Sequence, residues 1–273
     1  MENNKTNKGL VWLVVILIIL VIGLMGFIIY KEFFVNNNLS NENDLNKTTT
    51  TTEQINIKID ENKDWVYDAK YVPNVKQQTY TAWDETYNVN DYKAPYININ
   101  STYAKTINNE IKKIYDSAMQ VFNNGIEDEM SYIDTFKYNY YLKKNILSIV
   151  LTTGYGGTDV VYPDYHIFNI DIDNGNEITF ENILNYKNIT ETNFDDKAKN
   201  AIIEEYDTFY KDINKTDDLY VEYYESLKQQ TLEDYNNDKD KKCYIDNNGN
   251  LNLLATISFP AGREYADKLI AIK

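Results

Sequence analysis

Residues 145–153 read NILSIVLTT, and from Ile146 to Leu151 a single serine interrupts an otherwise apolar run. A stretch this short and this apolar, rich in β-branched residues, predicts a central strand. Its neighbours in sequence, about Ser131–Lys143 and Tyr162–Ile172, also read as strands, so the centre of the chain is a sheet. Asp173-Asn174-Gly175 then predicts a tight reversal, because Asn-Gly supplies the positive φ angles that a hairpin turn requires.

Upstream, Ile107, Ile111, Ile114, Tyr115, Ala118, Met119 and Phe122 recur at three- and four-residue steps. That spacing predicts a helix over about Thr102–Phe122, with Ser101 as N-cap and Asn124-Gly125 as its left-handed stop. Before it, the runs INIKI, WVYDAKYV, TAWDETYNV and YININ alternate Ile, Val, Tyr and Trp with polar residues and read as strands of a half-buried antiparallel sheet.

Downstream, Phe194, Ala198, Ala201, Ile202, Phe209 and Tyr210 mark a helix over about Asn193–Asp212. A weaker pattern covers about Asp217–Tyr235. A last hairpin turns at Asn248-Gly249 between KKCYI and LNLLATISF, and Lys268–Lys273 reads as an edge strand. Strands, a helix, more strands, then helices and a hairpin predict an α+β class, an antiparallel sheet with helices packed on one face.

The N-terminal part has a different character. Residues 9–30, GLVWLVVILIILVIGLMGFIIY, hold 22 residues without a charge, Asn, Gln or Pro. At about 1.5 Å per residue they reach about 33 Å, enough for a hydrocarbon core of about 30 Å. Lys5 and Lys8 precede the run against Glu2, whereas Lys31 is followed at once by Glu32. The basic flank predicts residues 1–8 in the cytoplasm, a transmembrane anchor at 9–30 and the remainder outside the cell. A cleaved signal peptide would have a shorter apolar region ending in small residues, and this one ends in Phe27, Ile28, Ile29 and Tyr30. Residues 31–54, with five consecutive threonines and almost nothing to bury, predict a disordered stalk.

The formal charge of −15 argues against nucleic-acid binding, since such a surface repels phosphate backbones. It favours basic protein partners instead. Between Asp195 and Asp240 lie fourteen acids and six basic residues, a run that forms the solvated face of helices or steers a basic ligand. One cysteine, Cys243, permits no intramolecular disulfide, which in an exported domain suggests a bacterial surface.

No pattern in the chain arms a catalyst. His166 is the only histidine, so a metal site or a hydrolase triad built on it lacks partners. Asp171 to Glu177 superficially resembles a calcium loop, but Gly175 falls at position 5 and Asn182 at position 12, where an EF-hand needs Gly at 6 and Glu at 12. Gly154-Tyr155-Gly156-Gly157 is followed by no Lys-Ser/Thr to grip a phosphate. No cofactor or metal is therefore expected. Tyr155, Asp159, Tyr162 and Tyr165 crowd around these glycines, and Tyr offers large contact area at low entropic cost. They form the candidate ligand-binding loop, although tyrosines that simply cover the sheet would look the same.

The same region carries a resemblance. NYYLKKNILSIVLTTGYGG (139–157) and DYHIFNIDIDNGNEITFENIL (164–184) resemble the extracellular region of anti-sigma-V factors of the RsiV type. They are also similar to the non-catalytic N-terminal region of PdaC-type peptidoglycan deacetylases. The matching elements are Leu147-Ser148-Ile149, the Gly156-Gly157 turn, Asn169-Ile170-Asp171 and the turn from Asp171 to Thr179 into a short helix. Thr158-Asp159 stands where the family commonly has Ala-His. The resemblance covers most of Trp65 to Ile272 and implies an extracellular α+β part over 55–170 followed by an RsiV-like part over 171–273, with one domain or two left open. It also implies a sensing or binding module without either known output, because MENNKTNK is too short to hold a sigma factor and no deacetylase domain follows.

The expected function is thus a membrane-anchored, non-catalytic extracellular binding or sensing domain for lysozyme-like basic wall-acting proteins or cell-wall fragments. Two rivals are a wall-glycan deacetylase or hydrolase, which needs facing carboxylates in a cleft, and a structural part of a membrane assembly.

Overall fold

The computed structural model describes residues 64–157, 161, 163–209, 211, 218–258 and 265–273. The expected anchor at 9–30, the stalk at 31–54 and the strand run at 55–59 lie outside the described residues. Among the described residues no helix is long and apolar enough to cross a membrane.

Four short strands come first: β1 (Val66–Asp68), β2 (Thr79–Ala82), β3 (Glu85–Asn88) and β4 (Pro95–Ile97). β1 pairs antiparallel with β4, and β2 with β3. The run TAWDETYNV, expected as one strand, is instead a hairpin that reverses at Trp83 and Asp84, with φ of 53° and 63°. Two consecutive positive φ angles make the mirror-image turn that matches strand twist, a role usually given to Asn-Gly. Here a tertiary bond holds the turn, since the Trp83 indole Nε1 donates to the Met130 carbonyl at 2.8 Å.

Helix α1 (Thr102–Asp128) starts as its sequence dictates, with the Ser101 hydroxyl accepting from the Ala104 amide at 3.0 Å. Ile107, Ile111, Tyr115, Ala118, Met119 and Phe122 form its buried face. The stop expected at Asn124-Gly125 is not used. The helix continues to Asp128 and ends on Glu129, whose φ of 55° places it in the left-handed region. Gly125 serves another purpose. A Cβ there would collide with the Ser131 carbonyl and the Tyr80 ring, so glycine permits close packing within the helix.

The central run forms β6 (Ile146–Gly156), flanked antiparallel by β5 (Tyr132–Lys143) and β7 (Asp164–Asp171). Leu147, Ile149 and Leu151 face the same way as their partners Ile170, Phe168 and His166. That face joins α1 and the N-terminal strands in one buried cluster running from Trp65 to Ile172. Burying each large side chain contributes about 1.5–3 kcal/mol, so this shared cluster of helix and strand residues stabilises the first half of the domain.

Next come α2 (Phe180–Lys187), α3 (Glu191–Phe209) and α4 (Asp218–Asn237), followed by β8 (Cys243–Ile245), β9 (Leu251–Ser258) and β10 (Tyr265–Ile272). The three strands form a second antiparallel sheet in the order β10-β9-β8, with β10 on its edge. Leu251, Leu253, Ala255 and Ile257 alternate inwards against Phe194, Ala198, Ile202 and Tyr206 to make a second cluster. Ile146 belongs to that cluster, so β6 supplies both cores. The Asn169 Nδ2 donates to the Cys243 carbonyl at 2.8 Å, and Tyr141 stacks on Tyr244 with ring centroids 5.2 Å apart, which pins β8 against the first sheet. The described residues belong to one compact unit. Among the described residues the chain is α+β, with four α-helices and antiparallel sheets.

Candidate functional site

β8 is three residues long, whereas its partner β9 has eight. The last bond between them runs from the Leu254 amide to the Lys242 carbonyl at 2.8 Å. Where β8 runs out, a cleft of about 560 Å³ opens between β7 and β9. β7 contributes Asp164, Tyr165 and His166 to its wall. The end of α4 and the turn after it contribute Asp234, Tyr235, Asp238 and Asp240, while Thr256 and Asp267 close the far side. A second recess of about 430 Å³ shares Asp240 and Lys242 with the first and continues along β7 past Ile167 and Asn169 to Glu177 and Glu181.

The cleft is strongly negative. Five aspartates face it, against the single ammonium of Lys242 and one imidazole. Local bonds orient several of these groups: the Thr256 hydroxyl donates to Asp267 at 2.8 Å, and the Asp240 amide to the Asp238 carboxylate at 2.9 Å. Behind the wall, the Tyr235 hydroxyl donates to Asp195 at 2.7 Å, and Lys241 lies 3.4 Å from the same carboxylate. Burial, and then the Asp195 contact, push the Tyr235 phenol well above its ordinary value, so it stays a neutral donor. Burial lowers the pKa of His166 below the usual 6.5, against an opposing pull from Asp164. Its ring is therefore neutral at pH 7, with Nε2 3.5 Å from the Thr153 hydroxyl. The arrangement suits the binding of cationic groups, since carboxylates in a confined site focus their field on an incoming charge.

The expected recognition loop is only partly brought to this place. Tyr165 lies in the cleft wall on β7. Tyr155 lies on β6 opposite Ile133, packed against the first core, where burial raises its pKa. Leu151 and Tyr155 share a face of β6, whereas Tyr165 pairs with Thr152, so the two tyrosines occupy opposite faces of the sheet. Asp159 and Tyr162 lie outside the described residues. The acids of the cleft belong to segments distant in sequence. Asp234, Asp238 and Asp240 close the acidic run that the sequence displays, but Asp267 arrives only through its register with Thr256.

Other sequence features have structural roles. The Asp171 carboxylate accepts from the Asp173 amide at 2.8 Å and from Asn145 Nδ2 at 2.8 Å, which braces the turn after β7. Gly175, at φ 72°, passes close to the Ser101 side chain. Cys243 is buried, and that burial pushes its thiol well up. Among the described residues no group of three His, Cys, Asp or Glu is placed to hold a metal ion. No family model matches the chain, and a search of curated proteins finds no relative.

Proposed function

We propose that this chain is a membrane-anchored extracellular binding or sensing protein that acts without catalysis, and that its ligand is a basic wall-acting protein of the lysozyme kind or a cell-wall fragment. In this reading residues 9–30 cross the membrane and 31–54 form the stalk. The α+β domain, its sheets each faced by helices on one side, stands outside. The observation that carries the proposal is the cleft, where five aspartates surround a space of about 560 Å³. Its charge complements a cationic surface, and the resemblance of residues 139–157 and 164–184 to RsiV-type ectodomains supports the same class of ligand.

Retention of the full-length chain on immobilised lysozyme, at low salt and at about 0.15 M salt, tests the protein-ligand version. Retention that weakens with salt is expected; no retention at either contradicts it. Protease added to intact, wall-stripped cells should digest the domain beyond residue 54, and its protection would contradict the placement. The clustered carboxylates also favour a second reading, a glycan-modifying enzyme, because glycoside hydrolysis requires two carboxyl groups about a ligand's width apart. Release of sugar from purified wall by the chain would establish that reading in place of the first.

A further inference from the structure

Among the described residues β7 has one strand partner, β6. Among those residues its other edge is covered only near its C-terminal end. There the Ile178 amide donates to the Asn169 carbonyl at 3.1 Å, and the Asp171 amide to the Asn176 carbonyl at 2.9 Å. These bonds show which residues turn their backbone groups outwards. Because a strand alternates every two residues, Tyr165 and Ile167 present their amides and carbonyls on the same edge as Asn169 and Asp171. Among the described residues, none occupies that edge at Tyr165 or Ile167.

The open edge does not face bulk solvent directly. Tyr165 lines the carboxylate cleft and Ile167 the adjoining recess, and the shared Asp240 and Lys242 join the two into one trough along β7. The protein already lays a strand-like segment in the first part of this trough, where Glu177 bridges antiparallel to Ile170. That segment leaves at Thr179, the N-cap of α2, and vacates the edge just where the cleft begins. Natural edges are usually blunted by lysine, proline or a bulge, and Asp164–Asp171 has none of these.

We infer that an extended, lysine- or arginine-rich segment of the partner protein docks by strand addition on the outer edge of β7. Its backbone pairs with Tyr165 and Ile167, and its basic side chains face the aspartates of the cleft. The inference rests on the proposed function for the charge of the ligand and adds the mode of recognition. Main-chain bonds supply affinity in such docking, and side chains supply selectivity. Charge decides the occupant: the two recesses together present seven carboxylates against two lysines, and Lys241 is already engaged by Asp195. A second copy of this acidic chain would be repelled.

The test uses the full-length chain in mild detergent and a short synthetic peptide alternating Lys and Val. A second peptide carries N-methyl groups on the alternate residues whose amides would face β7. The first peptide should bind and slow hydrogen exchange at the Tyr165 and Ile167 amides at least about tenfold, and N-methylation should weaken binding at least about tenfold. Ile167→Pro should weaken the unmodified peptide similarly. Its amide points away from β6, and proline is tolerated at such an edge position. Binding with unchanged exchange at both amides, or equal affinity for the two peptides, would overturn strand addition while leaving a basic ligand in place. Failure of the unmodified peptide to bind at low salt would overturn the basic-ligand reading as well. Peptide-independent self-association through β7 would also count against the inference.

Discussion

Replacing Asn108 with leucine tests how the first core is closed. Asn108 is 8% exposed on α1. Its Oδ1 accepts from the Ile97 amide at 2.8 Å, and its Nδ2 donates to the Ile97 carbonyl at 3.0 Å. The β1–β4 ladder explains why. The Asn98 amide donates to the Trp65 carbonyl and the Ala69 amide to the Ala94 carbonyl, so the backbone of Ile97 points away from β1. The Asn108 amide therefore takes the place of a missing strand and satisfies both groups of a residue that is 1% exposed. In the leucine variant both lose their partner, at about 1–3 kcal/mol each, and the better helix propensity of leucine returns only a few tenths. The net loss should be about 2–5 kcal/mol, a fall in Tm of roughly 5–15 °C for a domain of this size. Urea and thermal melts of the full-length chain in detergent measure it, with Asn109→Leu on the exposed face as control. A variant within about 0.5 kcal/mol of wild type, as Asn109→Leu should be, would refute the argument that Ile97 depends on this amide.

Gly125→Ala should destabilise by about 1–3 kcal/mol despite the higher helix propensity of alanine, because its Cβ meets the Ser131 carbonyl and the Tyr80 ring; a melt showing stabilisation would contradict that packing. Tyr206→Phe and Thr231→Val should each cost about 1–2 kcal/mol, since Tyr206 donates to the Ser258 carbonyl at 3.1 Å and the Ser258 amide donates to Thr231 at 3.0 Å. A double-mutant cycle should show coupling between them, as both clamp the end of β9, and strict additivity would argue against a shared clamp. The carboxyl of Asp128 is held below its ordinary value by the Ser131 hydroxyl and amide, and that of Asp68 by the Tyr138 hydroxyl and Lys93. A depressed folded pKa contributes stability that is present above the unfolded value of about 4 and lost as pH falls through the folded value. Urea midpoints should therefore drop between neutral pH and about pH 3, and the drop should shrink in Asp128→Asn and in Asp68→Asn.

The central strand was legible because Ile146–Leu151 is apolar but for Ser148, with Leu147, Ile149 and Leu151 in the first core and Ile146 in the second. The start of α1 was legible because Ser101 caps it through its own side chain. Its end was not, because Gly125 is glycine for the sake of the Tyr80 ring and the Ser131 carbonyl, contacts that no local sequence pattern displays. The hairpin at Trp83-Asp84 was hidden for a similar reason, being held by a bond to Met130 rather than by turn residues. At the candidate site, proximity in sequence misled. Tyr155 and Tyr165 lie ten residues apart yet on opposite faces, since register and strand parity decide facing. The cleft joins β7, the end of α4, β9 and β10; Tyr165 and the acidic run ending at Asp240 were visible beforehand, but not that the fold brings them together with Asp164 and Asp267.

The most direct measurement compares lysozyme affinity, by titration calorimetry at low salt, for two variants of equal charge. One replaces Asp164, Asp234, Asp238 and Asp240 with asparagine inside the cleft. The other neutralises Asp196, Glu222, Glu225 and Glu233, four exposed helical acids outside it. The cleft variant should bind at least about tenfold more weakly than wild type, and the surface variant should stay within about threefold. Equal weakening in both would mean that net charge alone attracts the ligand, and the cleft would lose its assigned role.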